Sequence, residues 1–523
     1  MYVIIGKQWG EAMLSKIYSV GLMGIDGYTV TVEADISSGM PAFEIVGLPD
    51  ATIKESKDRI RAAMRNCNIS FPSKHITVNL APANLKKEGA AYDLPIAVAI
   101  MAATSKMDTA IFENTAFIGE LALDGSIRTV NGILPMTIAA KNNGFESIYV
   151  PLENSGEAAA VEGITVYPVG NLFELLQHLM GVEKITPVQY DAEKILAGAG
   201  IYDVDFSDVK GQEAVKRAVE IAVAGGHNIL MIGSPGSGKS MIARRIPTIL
   251  PDMTAEEAIE VTKIHSVAGT IPPGESFIST RPFRSPHHTV SAAALAGGGM
   301  NPKPGELSLA HNGVLFMDEL PEFHKDVLEV LRQPMEDGFV TISRVMGTIA
   351  YPCNTLLVGA MNPCKCGYYG DEDHICRCTP QSIEKYRSKI SGPLMDRIDI
   401  HINVPSVKFN ELHSKEKGES SADIKKRVNK ARAIQLERFD GQGIYSNAQM
   451  SAKQIEKYCP LDEACKNLLE MAYSKLGLSA RAHSRILKVA RTIADLDGSE
   501  NIQTNHIAEA IQYRRLDRDY IGA

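Results

Sequence analysis

The feature that most restricts this chain is a glycine-rich turn, Gly233-Ser234-Pro235-Gly236-Ser237-Gly238-Lys239-Ser240. A short apolar run, 228–232, precedes it, and a helical pattern follows from Met241. Strand, loop and helix in that order make a phosphate cradle. Glycine lets the backbone come close to an anion, and the loop N–H groups and the helix start offer positive dipole ends. Lys239 is expected to reach the β- and γ-phosphates of ATP, and Ser240 to ligate Mg²⁺. A match at all eight positions, with the correct flanks, outweighs the reading of a chance glycine loop.

Further along, Gly313-Val-Leu-Phe-Met-Asp318-Glu319 reads as a buried strand ending in two carboxylates. In a parallel sheet such an end lies beside the phosphate loop. Asp318 is expected in the Mg²⁺ shell, and Glu319 as the group that polarises an attacking water. A third apolar run, 355–360, leads to Met361-Asn362-Pro363, where Asn362 is a candidate contact for the γ-phosphate or the water. The plainer reading of Asn362 is a turn residue before proline. Arg397, in Leu394-Met-Asp-Arg-Ile-Asp399, is a candidate arginine finger offered to a neighbouring subunit, or else one half of a surface ion pair. Arg481 opens a C-terminal helical pattern and is a candidate to reach back to the phosphates, with Arg485 one turn on as runner-up.

The rest of the chain divides around these motifs. Its 523 residues suffice for about three domains. The expected plan is an extension at 1–19, an α/β domain at 20–181, a linker at 182–206, an α/β nucleotide core at 207–405 and a helical domain at 406–523. Met13 is an alternative start. No apolar run is long enough for a membrane helix, and the N-terminus lacks a secretory pattern, so a cytoplasmic protein is expected. A formal charge of −8 argues against a uniformly basic surface, but the C-terminal fifth carries a basic excess. Four of the eight cysteines fall in Cys364-Lys-Cys366 and Cys376-Arg-Cys378. They are candidates to enclose a structural zinc with four thiolates; the alternative is four unpaired thiols in a reducing compartment.

The order of these motifs is that of AAA+ proteins: Walker A, Walker B, sensor 1, arginine finger, sensor 2. Arg281-Pro-Phe-Arg284-Ser-Pro-His287-His288, Gly297-Gly-Gly299 and Pro304-Gly-Glu-Leu-Ser-Leu-Ala-His311 resemble the helix-2 insert of the magnesium-chelatase branch. Residues 339–351 resemble its pre-sensor hairpin. Over nearly its whole length the chain resembles the YifB/ComM family. Residues 20–178 resemble a Lon-type protease domain, with Ala91 at the position of the nucleophilic serine and Leu134 at that of the lysine. The resemblance implies an AAA+ P-loop core with a helical lid and a Lon-like α/β domain without peptidase activity. It also implies a hexameric ATPase that binds DNA, a helicase or branch-migration motor in DNA uptake and recombination. A chelatase-like or protein-remodelling motor is the alternative. Arg281, Arg284 and Arg344 are the candidate DNA contacts, each weighed against an ordinary ion pair. His287 and His288 are expected to pack or hydrogen-bond rather than bind metal.

Overall fold

The computed structural model describes residues 13–105, 107, 110–189, 202–272, 274–299, 302–344, 347–407, 418–476 and 479–516. They form two compact units, Met1–Ala197 with Ala258–Ile278, and Gly198–Glu257 with Ser279–Ala523.

The first unit is built on a seven-stranded sheet. Strands β1 (Met13–Met23), β2 (Asp26–Ser37), β3 (Ala42–Val46), β4 (His75–Ala81), β5 (Thr115–Phe117), β8 (Ser147–Pro151) and β9 (Thr165–Val169) lie in the order β3-β4-β2-β1-β5-β8-β9. Between β5 and β8 a small hairpin joins β6 (Glu120–Leu121) to β7 (Ile127–Arg128). β1 and β2 form a long antiparallel pair from Met13↔Ile36 to Met23↔Asp26. Residues 13–19, expected in an extension, are therefore the start of a strand inside the sheet. In β2 every second residue, Val30, Val32, Ala34 and Ile36, is buried, so one face of this antiparallel pair meets the core.

The helix Asp93–Thr104 is apolar all round and buried almost throughout. Full burial of each large apolar side chain is worth about 1.5–3 kcal/mol. The one charge in that helix, Asp93, is satisfied by Ser56, by Arg59 Nε at 2.6 Å and by the Leu121 N–H at 3.3 Å. Residues 258–278, read from sequence as part of the nucleotide core, pack in this unit. Ser266 donates to Glu157, and its carbonyl accepts from the Gly132 N–H at 3.1 Å. Val188, expected in a linker, bridges Val166 of β9.

The second unit holds a five-stranded sheet. It comprises β10 (Ile229–Ile232), β11 (Phe283–Arg284), β14 (Val314–Met317), β17 (Leu356–Met361) and β18 (Ile400–Asn403), in the order β11-β14-β17-β10-β18. All four pairings are parallel. β10, β14 and β17 are buried at every position, as a sheet covered on both faces requires. Two small antiparallel ladders accompany it, β12 (Gly297–Gly298) with β13 (Lys303–Pro304), and the hairpin β15 (Phe339–Arg344) with β16 (Gly347–Pro352).

Helices Ser421–Arg438, Ala452–Tyr458, Glu463–Leu476, Ala480–Leu496 and Thr504–Gln512 follow, in the stretch expected to be a helical domain. Ser420 and Ser479 cap two of them through the Asp423 and Ala482 N–H groups. Among them Asp495 is fully buried. It accepts from Arg438, from Arg491 Nε at 3.1 Å and from Asn447 Nδ2 at 2.8 Å. Removing one side of such a buried network costs about 3–5 kcal/mol, because the other is left uncompensated.

Candidate functional site

β10, β17 and β14 are neighbours, and the loops leaving their C-terminal ends carry Lys239, Asn362 and Asp318. The parallel register, with Ile232 beside Met361 and Met317 beside Gly359, brings these loops to one edge of the sheet. Gly238 adopts φ +95°, a conformation that residues with a Cβ rarely take. Gly233 is needed for another reason: a Cβ there would stand 2.3 Å from the Val404 carbonyl oxygen. Ser237 is buried, and its N–H closes the turn onto the Ser234 carbonyl at 3.1 Å. Met241 packs against the core below.

Lys239 is buried. Its Nζ donates to the carbonyls of Gly233 at 2.7 Å and Ser234 at 3.0 Å, and to Asn362 Oδ1 at 3.3 Å. Burial lowers its pKa, and the nearby Asp318 carboxylate opposes that shift. Ser240 Oγ donates to Asp318 Oδ2 at 2.6 Å. The residues expected to bind phosphate, hold Mg²⁺ and sense the nucleotide are thus joined by direct contacts. Ser240 and Asp318 are both oxygen donors, the ligand chemistry Mg²⁺ takes.

Glu319 follows with a half-exposed side chain and a left-handed backbone, φ 51° and ψ 45°. His288 Nδ1 stands 3.7 Å from Glu319 Oε2, and its ring lies edge-on to Phe323. His288 therefore has both a packing and a polar neighbour at the site, in line with the packing or hydrogen-bonding role expected of it. Gln212 was not foreseen. Its Nε2 donates to the Ser237 carbonyl at 2.8 Å and the Pro405 carbonyl at 2.7 Å, tying the phosphate loop to the end of β18. No motif marks that long-range contact.

The arginines depart most from expectation. Arg397 is 7% exposed; it donates to the Pro393 carbonyl at 2.7 Å and pairs with Glu336 at 2.7 Å. Arg481 also pairs with Glu336, at 3.5 Å, and does not contact the phosphate loop. Arg485 pairs with the buried Asp399, whose carboxyl stays well below the usual range: desolvation opposes ionisation, and Arg485 overcomes it. Arg281 is consumed by the carbonyls of Pro251, Asn312 and Asp252 and by Glu257 at 2.7 Å. Arg284 makes a two-pronged pair with Glu306 at 2.6 and 2.7 Å. Both guanidiniums are engaged within the fold, as the ion-pair alternative has it, Arg281 almost wholly buried and Arg284 still partly exposed; a planar fork binds firmly where a carboxylate matches it. Arg344 sits at the tip of the β15–β16 hairpin, opposite Gly347; its side chain lies outside the described residues.

The four clustered cysteines converge. Sγ separations are 3.4 Å for Cys364–Cys366, 3.7 Å for Cys364–Cys376 and 3.6 Å for Cys366–Cys376, and Cys378 lies within the same group. A tetrahedron with Zn–S bonds of about 2.3 Å has edges of about 3.8 Å, so the thiols are spaced for one ion. Backbone N–H groups of Tyr368 and Arg377 hold the Cys366 thiol down, whereas the Cys376 and Cys378 thiols are pushed up, as four sulfurs sharing one small space cannot all ionise without a cation among them.

In the first unit, Ala91 and Leu134 are both buried. Ala91 packs with Ile118, Ile133 and Met136. The Leu134 N–H donates to Glu157 Oε1 at 2.9 Å. No hydroxyl or amine occupies either position.

Comparison with known proteins identifies the family. Residues 205–412 match the family described as magnesium chelatase, subunit ChlI; 32–154 match subunit ChlI of Mg-chelatase; and 418–514 match the ChlI C-terminal family. The competence protein ComM of Haemophilus influenzae is 44% identical over 507 residues, covering 97% of this chain and 98% of that protein. YifB of Escherichia coli is 42% identical over 507 residues, with 97% and 98% covered. A Lon protease of Buchnera aphidicola is 24% identical over 184 residues, 33% of this chain and 23% of that one. Mixed α/β units, an AAA+ core and a helical C-terminal region are common ground between these likenesses and the structure, and the chain belongs to the YifB/ComM family of magnesium-chelatase-like AAA+ proteins.

Proposed function

We propose that this chain is an ATP-hydrolysing ring motor, a homohexamer that acts on DNA as a helicase or branch-migration translocase during DNA uptake and recombination. The observation that carries the ATPase reading is the joined pair of contacts, Lys239 with Asn362 and Ser240 with Asp318. Gly233, Ser234, Pro235, Gly236, Ser237 and Gly238 cradle the phosphates, with Met241 seating the helix that follows. Ser240 and Asp318 would hold Mg²⁺, which supplies charge neutralisation on the phosphates. Glu319 polarises the attacking water and Asn362 orients it. Arg397 serves a neighbouring subunit, and its proximity to Arg481 through Glu336 supports a shared interface role for the two cations. Cys364, Cys366, Cys376 and Cys378 hold a structural zinc. The first unit is not a peptidase, since Ala91 and Leu134 supply neither nucleophile nor base. The protein works in the cytoplasm. Among the described residues no helix is long and apolar enough to cross a membrane.

The DNA reading draws support from the name of the Haemophilus relative, a competence protein, and from the hairpin that carries Arg344 at its tip. A motor that remodels protein or serves metal insertion is the second reading. It is favoured by the loss of Arg281 and Arg284 to internal ion pairs. ATPase assays with and without forked or four-way DNA, followed by strand displacement, separate the two. DNA-stimulated hydrolysis with strand separation is expected. ATPase activity indifferent to every DNA form selects the second reading, and no ATPase activity at all rejects both.

A further inference from the structure

The cysteine loop does more than gather thiols. Its members touch the phosphate loop at two places. Gly367 has φ +91°, and a Cβ there would lie 2.5 Å from Pro235 Cδ and Cγ, so the loop backbone rests directly on that proline. Asp371 accepts the hydroxyl of Ser234 through Oδ2. Its other oxygen, Oδ1, organises the cysteine loop itself, accepting from the Asp373 N–H at 3.0 Å and the His374 N–H at 2.9 Å, and meeting His374 Nδ1 at 3.1 Å. The loop begins at Cys364, two residues after Asn362, whose Oδ1 receives Lys239. Ser234 lies 137 positions from Asp371, and its carbonyl also accepts from Lys239 at 3.0 Å. The thiol cluster is therefore fastened to the phosphate loop at Asn362 on one side and at Asp371 and Gly367 on the other.

We propose that metal occupancy of the four-cysteine cluster and nucleotide binding at the phosphate loop are energetically coupled, with Asp371 as the positioning residue that transmits one to the other. The inference rests on the reading of the cluster as a zinc site. Without an ion, four thiols impose no fixed spacing on residues 364–378. With one, the loop is closed at both ends and can hold Ser234 and Pro235 in the form that receives phosphates. The coupling has to be reciprocal: nucleotide tightens metal binding by the factor by which metal tightens nucleotide binding.

The test uses the full chain and Zn²⁺ itself. Zinc affinity is measured by competition with a chromophoric chelator, with and without a saturating non-hydrolysable ATP analogue and with Mg²⁺ in excess. The analogue should tighten zinc binding roughly tenfold, and zinc-stripped protein should bind a fluorescent nucleotide more weakly by the same factor. Asp371→Asn should keep about one zinc per chain and lose that factor. Gly367→Ala, which presses on Pro235, should weaken nucleotide binding with zinc retained. Zinc held stoichiometrically but indifferent to nucleotide would overturn the coupling and leave the zinc reading standing. A chain that takes up no zinc under any condition would overturn both. An Asp371→Asn protein with the full wild-type linkage would remove Asp371 from the proposal.

Discussion

Around the phosphate loop, the polar side chains of the motifs answer one another: Lys239 meets loop carbonyls and Asn362, and Ser240 meets Asp318. Around Ala91 and Leu134 the first unit has a comparable α/β frame, but the positions that would carry chemistry are apolar and buried, Ala91 in a cluster with Ile118, Ile133 and Met136. Glu157, whose carboxyl is raised by burial, is tied to this region by the Leu134 N–H. The contrast separates fold from function. A scaffold persists on its apolar periodicity alone, whereas an active centre persists only if specific polar groups are kept and mutually satisfied.

Four tests press on this contrast, in descending order of effect. Lys239→Ala should leave no measurable nucleotide binding or hydrolysis while the protein stays folded; full ATPase activity in the variant would mean the phosphate loop is not the centre. Arg397→Ala should cost about 10³-fold in hydrolysis if it serves as a finger. Mixing it with Glu319→Gln subunits should restore part of the rate, since each contributes what the other lacks, and absence of rescue at every ratio would confine Arg397 to its pair with Glu336. In the first unit, adding the missing groups as Ala91→Ser with Leu134→Lys should yield no ATP-stimulated casein cleavage. It should instead destabilise by about 3 kcal/mol or more in urea titrations, because a fully buried position receives a charge. Casein cleavage by the variant would show the apolar site to be a dormant enzyme.

The smallest effect concerns pH. Glu157 has a folded pKa above its unfolded value, with burial the largest cause and the hydrogen bonds from Ser266, Leu134 and Asn154 opposing it. Its contribution to stability is full below the unfolded pKa and is lost as pH rises through the raised folded value. Glu157→Gln should flatten that part of the stability profile in denaturant titrations across the acid range. An unchanged profile would place the carboxyl in an ordinary environment.

What could be read from sequence follows from how local each signal is. The phosphate loop, the β14 carboxylates and the β17 asparagine each need only a contiguous segment, and the parallel sheet then assembles them. The helical character of the C-terminal domain is legible for the same reason. Arginine partners were not. Glu257 for Arg281, Glu306 for Arg284 and Glu336 for Arg397 are chosen by tertiary packing, and a lone Arg on a loop looks alike whether it meets DNA or a carboxylate. The contacts of Asp371 and Gln212 are hidden similarly, because each bridges segments far apart in the chain. Residues 258–278 lie in sequence between the motifs of the nucleotide core, and tertiary contacts such as those of Ser266 with Glu157 and Gly132 assign them to the first unit.

The left-handed backbone at Glu319 bears on how a stalled form of this motor is best made. Glutamate is poorly suited to φ 51°, a conformation that costs a side chain with a Cβ about 1–3 kcal/mol and that asparagine tolerates better. Replacement by Gln keeps the shape and the burden, whereas Asn removes the carboxylate and relaxes the chain at that point. The Asn variant should therefore melt at a higher temperature than the Gln variant while being equally unable to turn over. For trapping a nucleotide-loaded assembly long enough to image it, the shorter amide is the better choice.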